Sequence, residues 1–138
     1  MAEGLFFRRF VMAIGEEAVK LHESGMNCAQ SVLISCTEYT GIDRDLAVGI
    51  ANGFGGGVRC GEICGAASGG VMAVGACHKL RGCENPREAM MERAKNFCAA
   101  FEDRFEGIRC ADIKGVKYTC NEMIAFAAEL AEKTIEEI

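Results

Sequence analysis

Two of the nine cysteines in this 138-residue chain occupy the same local setting. Cys28 follows Asn27 in "NCAQ", and Cys120 follows Thr119 in "TCNE". Asn and Thr are favoured helix N-caps, and a Gln or Glu three residues later completes a capping box. Each cysteine would therefore open a helix, where the positive end of the helix dipole and unpaired backbone N–H groups favour the thiolate. Thiolates attack disulfides and bind metals, so both positions are candidates for redox or metal chemistry.

A glycine-rich stretch, "GFGGGVRCGEICGAASGG" at residues 53–70, holds two more cysteines. Cys60 and Cys64 stand four residues apart, so they share one face of the glycine-rich helix if that helix begins as early as Cys60. Three glycines of the stretch recur at every fourth residue: Gly61, Gly65 and Gly69. Such a smooth helix side lets another backbone, and with it a second sulfur, come close to Cys64. Tight helix packing alone would use the same glycines, so this alternative stays open.

Cys110 is the remaining strong candidate, in the short segment "GIRCADIKG" ten residues before Cys120. A cysteine in a loop has little packing role, and the loop could carry it to the same site. Cys36 and Cys98 are instead expected to pack in the core, because free cysteine is among the most buried residue types. His22 is expected to be a surface residue.

Two other motifs are disfavoured as sites. In "CHKLRGC", Cys77 and Cys83 flank His78, but the spacing matches no strong metal-ligand pattern. In "GFGGGV", a valine replaces the last glycine of G-x-G-x-x-G, and no G-K-[ST] follows. Nucleotide binding is therefore not expected.

Composition and charge argue against several classes of function. The net charge is -5 and no basic cluster is present, which argues against nucleic acid as a partner. The longest uncharged stretch, residues 63–77, falls short of the ~20 residues that span a bilayer, so no membrane insertion is expected. The apolar run after "FRR" near the N-terminus is too short for an export signal. Together with an odd cysteine count, these features predict a cytoplasmic protein with thiols or metal ligands rather than a secreted disulfide scaffold.

The elements that position these cysteines are predicted to be helices. One proline, half hydrophobic residues and abundant Ala, Glu, Met and Leu favour a single all-α domain over residues 1–138. We predict a compact bundle of about five helices with a glycine-rich central helix over about 62–80. The first helix carries an apolar stripe at Phe7, Val11, Ile14, Ala18 and Leu21. The others are expected over about 28–39, from 43 into the glycines, over about 86–105, and over about 118–138, with a loop or single turn at "IRCADIKG". The helix over about 86–105 carries a second apolar stripe, at Met90, Ala94, Phe97, Phe101 and Phe105.

The cysteine pattern resembles the C_GCAxxG_C_C family of redox-active proteins, which is named for its own cysteines. The matching pieces are "NCAQSV" around Cys28, "FGGG" followed by "CGAASGG" around Cys64, and then Cys110 and Cys120. The resemblance spans most of the chain. It implies that these four cysteines are the family's characteristic ones and that they have a redox role, but it names no substrate.

Three hypotheses follow. In the leading one, a thiolate of Cys64 or Cys28 attacks the disulfide of a redox partner protein or a small disulfide, and a second cysteine resolves the mixed disulfide. Four cysteines allow three pairings, and the residues do not select one. In the second, Cys28, Cys64, Cys110 and Cys120 ligate an iron–sulfur cluster or zinc, with Cys60 as an auxiliary thiol. In the third, the cysteines only pack within a helical interaction protein. The sequence leaves open whether the protein is an enzyme or an electron store, and a homodimer is an expectation from the small-residue helix alone.

Overall fold

The computed structural model describes residues 12–138, and in this part of the chain the predicted all-α class is confirmed, with no β-strand. It contains eight α-helices, so the expected number of about five is wrong. They are α1 (Ile14–Glu23), α2 (Cys28–Ser35), α3 (Thr37–Thr40), α4 (Arg44–Asn52), α5 (Gly65–Leu80), α6 (Pro86–Phe105), α7 (Cys110–Ile113) and α8 (Cys120–Glu136). A π-helical turn, Gly57–Gly61, separates α4 from α5.

The additional helices arise from short segments. The backbone leaves helical geometry at Cys36 (φ -96°, ψ 6°), which divides the predicted second helix into α2 and α3. The single turn expected at "IRCADIKG" is the four-residue helix α7. The predicted first helix is α1, but Phe7 and Val11 of its stripe lie outside the described residues, as does most of the "FRR" segment considered as a leader.

The glycine-rich helix begins later than predicted. Gly57, Val58, Arg59 and Gly61 all have φ between 57° and 79°, so the chain turns sharply before α5 starts at Gly65. The left-handed conformation costs an L-residue such as Val58 conformational energy, whereas glycine adopts it freely. Cys60 therefore lies in the turn rather than on α5. The helical face expected to join Cys60 and Cys64 does not exist.

Helix α5 packs against α2, α3, α6 and α8, and most of its residues up to His78 are buried. The core also contains the apolar stripe predicted on α6, in which Phe97, Phe101 and Phe105 are buried. Phe105 meets Phe126 of α8 edge-on, with ring centroids 5.3 Å apart. Burial of these aromatic and small residues fixes the helices whose N-terminal ends carry the candidate cysteines.

The described helices can be compared with what a membrane-spanning helix requires. None of them combines the length and the apolar character that crossing a bilayer requires.

Candidate functional site

Cys28 and Cys120 are the first residues of α2 and α8, as the capping patterns predict. The Asn27 side chain accepts a hydrogen bond from the Gln30 N–H (2.8 Å), and Gln30 Oε1 accepts one from the Asn27 N–H (2.9 Å). This is a complete capping box. At α8 the Thr119 hydroxyl accepts a hydrogen bond from the N–H of the residue three positions later (3.1 Å). The caps fix both helix starts, and with them the positions of the two sulfurs.

Cys64 lies at the N-cap of α5 and is buried. The backbone N–H groups of Ala66 and Ala67 point to its sulfur and favour the thiolate, but burial outweighs them and raises the pKa of Cys64 overall. Cys64 is thus a thiol held at the positive end of a helix, in surroundings that keep its proton on.

Cys110 comes beside Cys64 through a short antiparallel bridge between Ile63 and Arg109. The N–H groups of Cys64 and Cys110 each donate a 2.7 Å hydrogen bond to a carbonyl oxygen of the opposite segment. Side chains alternate along extended backbone, so both cysteines project to the face opposite Ile63 and Arg109. Next to this bridge the Arg109 guanidinium pairs with Glu62 (Nε–Oε2 3.1 Å).

Gly65 lets α2 reach the start of α5. A Cβ atom there would lie 2.8 Å from the Phe54 carbonyl oxygen, 3.2 Å from the Ala29 nitrogen and 3.3 Å from the Cys28 Cβ. Distances of 3 Å or less are steric clashes for carbon. The absence of a side chain at Gly65 is therefore what permits the contact between the two helix ends, and so the approach of Cys28 to Cys64.

The four cysteines form one group, called here the thiol cluster: Cys28, Cys64, Cys110 and Cys120. The Cys28 thiol hydrogen-bonds to the Cys120 sulfur and also interacts electrostatically with Cys64 and Cys110. All four lie within two residues of a helix N-terminus. None of the nine cysteines, all of which are in the described part of the chain, forms a disulfide.

Within the thiol cluster, Cys120 is the residue with an activated sulfur. The hydrogen bond from Cys28, together with the charges of Lys114 and His22, lowers the pKa of Cys120 to about 6. The same hydrogen bond, with burial and the neighbouring sulfurs, raises the pKa of Cys28. One proton is therefore shared between the two sulfurs, with the negative charge on Cys120 and the proton on Cys28. Cys64 and Cys28, one of which was expected to be the attacking thiolate, both have raised pKa values.

Two of the residues around Cys120 were not identified from the sequence. His22, expected at the surface, is half-buried, and its Nδ1 hydrogen-bonds to Asn121 Oδ1 (2.8 Å). Lys114 follows α7 and is exposed. His22 is 98 positions from Cys120 in the sequence. Lys114 is six positions from Cys120, outside the residues that form the Thr119 cap. No periodicity or capping signal could have indicated these contacts.

The other cysteines lie apart from this arrangement. Cys36 is buried, which confirms that it packs, and Cys77 and His78 are buried as well. Cys98 is only half-buried and lines an apolar groove of about 260 Å³ instead of the core interior. Cys60 is exposed, with its sulfur 3.5 Å from the Gly57 carbonyl oxygen.

The arrangement of side chains also bears on the hypothesis that the cysteines bind a metal. Among residues 12–138, no group of three or more His, Cys, Asp or Glu side chains is arranged to hold a metal ion. Metal binding by Cys28, Cys64, Cys110 and Cys120 stays a prediction from the sequence, and we assign no step to a metal.

Comparison with known proteins gives one match. A family model described as "Putative redox-active protein (C_GCAxxG_C_C)" matches residues 26–134. This range contains all four residues of the thiol cluster. No match was found to a curated protein or to a solved structure.

Proposed function

The chain belongs to the C_GCAxxG_C_C family, and on that premise we propose that it exchanges electrons with a partner disulfide through the Cys28–Cys120 pair. The observation that carries the proposal is the hydrogen bond from the Cys28 thiol to the Cys120 sulfur, at the meeting point of two helix N-termini. A thiolate with a neighbouring thiol is what thiol/disulfide exchange requires.

In the first step the Cys120 thiolate attacks one sulfur of a partner disulfide. A bond forms between Cys120 and that sulfur, the partner's S–S bond breaks, and the other sulfur leaves as a thiolate. The proton on Cys28 then passes to this leaving thiolate. While Cys120 is a thiolate, its hydrogen bond with Cys28 keeps the proton on Cys28. Once Cys120 is part of the mixed disulfide that stabilisation is lost, and Cys28 can release the proton.

In the second step the Cys28 thiolate attacks the Cys120 sulfur of the mixed disulfide. A Cys28–Cys120 disulfide forms, and the second partner thiolate is released. The two protein thiols lose two electrons, and the partner disulfide gains them. Each bond made replaces one bond broken, so no further oxidant is needed.

Cys64 and Cys110 supply a second dithiol next to the first. The paired hydrogen bonds around Ile63 and Arg109 hold them on one face, and Cys64 interacts electrostatically with both Cys110 and Cys120. By the same exchange chemistry, they would reduce a Cys28–Cys120 disulfide and become a disulfide themselves. The four thiols together would then store four electrons.

The test is to trap the mixed disulfide. In Cys28→Ala the first step can occur but its normal resolving thiol is missing, so reaction with a small disulfide should leave the added group on Cys120. Peptide mapping by mass spectrometry after an acid quench locates it. Cys120→Ala should lose the fast reaction, whereas Cys60→Ser, an exposed cysteine outside the cluster, should behave as wild type. Equal labelling of Cys60 and Cys120 in wild-type protein would contradict the proposal.

Three expectations accompany this function as proposals. A reducing cytoplasm would keep the thiol cluster reduced, the partner would be a redox protein or a small disulfide, and two copies would associate as a homodimer. The absence of disulfides in the described chain is compatible with the first. Size-exclusion chromatography with light scattering, under reducing conditions, tests the last.

A further inference from the structure

Among the cations around the thiol cluster, Lys114 has no carboxylate partner within residues 12–138. Arg109 is paired with both Glu62 and Asp112, and Lys117 is paired with Glu106 at 2.8 Å. For Lys114, no ion pair exists with any residue of the described chain. Its ammonium group is exposed and unneutralised beside the sulfurs.

The backbone fixes the place of Lys114. Its N–H donates a 2.9 Å hydrogen bond to the Cys110 carbonyl oxygen, which closes the α7 turn. A short parallel bridge then pairs Lys114 with Tyr118, two residues before Cys120. The hydrogen bond and the bridge therefore fix the Lys114 backbone close to the start of α8, and its charge acts on Cys120.

We propose that Lys114 selects small disulfides that carry carboxylates within a few bonds of their sulfurs. This inference rests on the proposed function of the Cys28–Cys120 pair and names its substrate class. Lys114 supplies the positive charge that such a disulfide meets as it reaches the half-buried Cys120. A small molecule enters there more easily than a disulfide fixed in a folded surface.

Because the whole chain is negatively charged, a preference for anionic disulfides has to come from groups near Cys120. The net charge is -5, so the overall field repels an anionic substrate. Attraction can come only from groups within about one Debye length of the sulfur, ~8 Å at physiological ionic strength. Lys114 and His22 both act on the Cys120 sulfur, and of the two Lys114 is the exposed one that an incoming molecule meets. The neighbouring Arg109 and Lys117 are neutralised by their partners.

The experiment compares three small disulfides that differ in charge. The probes are 3,3′-dithiodipropionate (anionic), bis(2-hydroxyethyl) disulfide (neutral) and cystamine (cationic), and the measurement is the rate of mixed-disulfide formation at Cys120. Each rate is divided by that of 2-mercaptoethanol with the same probe, which removes differences in leaving-group chemistry. The ratio of anionic to neutral probe within one protein also cancels any change in the thiolate fraction of Cys120.

Wild-type protein should prefer the anionic probe, then the neutral one, then the cationic one. Lys114→Gln should lower the anionic-to-neutral ratio about threefold and Lys114→Glu about tenfold, the size expected for one and two charges a few ångströms away in water. The preference should also weaken as salt is added. The matched control is Lys133→Glu on α8, thirteen residues from Cys120 and so ~20 Å along the helix, which should leave the ratio unchanged.

Two results would overturn the inference, and they are distinguishable. If Cys120 reacts with all three probes but the ratio is the same in Lys114→Glu and Lys133→Glu, the selection is wrong while the exchange function stands. If Cys120 forms a mixed disulfide with none of the probes, the proposed function itself fails and the inference fails with it.

Discussion

Cys28 and Cys120 open two different helices, and the thiol of Cys28 donates a hydrogen bond to the sulfur of Cys120. The two residues are 92 positions apart in the sequence, yet both sit one residue after a side-chain cap. The helix ends stabilise negative charge, and the shared proton decides which sulfur carries it. The consequence is an asymmetric pair, with a nucleophile and a proton-bearing thiol.

This asymmetry predicts the pH dependence of Cys120. Its pKa is lowered to about 6, so the thiolate predominates at pH 7 and is lost as the pH falls below 6. The rate of alkylation by iodoacetamide, followed at Cys120 by mass spectrometry, should rise through a midpoint near pH 6 and then level off. Cys28→Ala removes the hydrogen-bond donor and should move this midpoint upward, toward the ordinary cysteine value of about 8.5.

Cys60→Ser is the control for the pH profile, because Cys60 is exposed and bonds only locally, to Gly57. Its profile at Cys120 should match the wild type. A midpoint above pH 8 in wild-type protein, or no change in Cys28→Ala, would show that the Cys28 hydrogen bond does not stabilise the thiolate.

The disulfide pairing can be predicted as well. Controlled oxidation should give Cys28–Cys120 and Cys64–Cys110, because the first two share a hydrogen bond and the second two are held on one face of the backbone bridge. Non-reducing digestion and mass spectrometry would identify the linked peptides. Recovery of Cys28–Cys64 or Cys28–Cys110 as the main product would reject this pairing.

Local sequence signals were sufficient for the starts of α2 and α8. The Asn27 and Thr119 caps place Cys28 and Cys120 correctly, because a cap depends on residues within three positions. The stripe on α6 likewise predicted the burial of its aromatic residues. The division at Cys36 was missed, since a change of backbone direction there has no proline or glycine to indicate it.

Contacts between different segments of the chain could not be predicted from local sequence in the same way. The turn Gly57–Gly61 places Val58 and Arg59 at positive φ, which their residue types disfavour, so the sequence did not indicate that Cys60 lies in a tight turn. The approach of His22 and Lys114 to Cys120 depends on how α1 and α7 pack, and this is decided by the tertiary fold. The assignment of the activated sulfur to Cys120 required those contacts.

His22 should influence the reactivity of Cys120 mainly at low pH. Its charge is one of those that lower the pKa of Cys120. His22→Gln removes this charge and should raise the pKa of Cys120, which slows alkylation near pH 6 and leaves it nearly unchanged at pH 8. His78→Gln is not a suitable control because His78 is buried, so the exposed Lys79→Gln serves instead. An equal loss of rate at both pH values would indicate a structural role for His22.

Because Gly65 lies so close to neighbouring backbone, we expect a side chain there to lower the stability of the protein and to displace Cys28 from the thiol cluster. A Cβ atom there would lie 2.8 Å from the Phe54 carbonyl oxygen, and backbone cannot yield as a flexible side chain does. Gly65→Ala should therefore lower the free energy of unfolding by ~1–3 kcal/mol, as overpacking does. It should also push Cys28 away from Cys64, and so change the pH midpoint of Cys120 alkylation.

Gly49→Ala is the matched control for Gly65→Ala. Gly49 lies within α4, and a Cβ atom there meets nothing within 4 Å. The alanine should raise the free energy of unfolding by ~0.5–1 kcal/mol, because glycine is a poor helix former, and should not affect the pH midpoint. Urea denaturation under reducing conditions measures both stabilities. Changes of the same sign in the two variants would mean that Gly65 acts through helix propensity, and that the close approach of α2 to α5 does not hold the thiol cluster together.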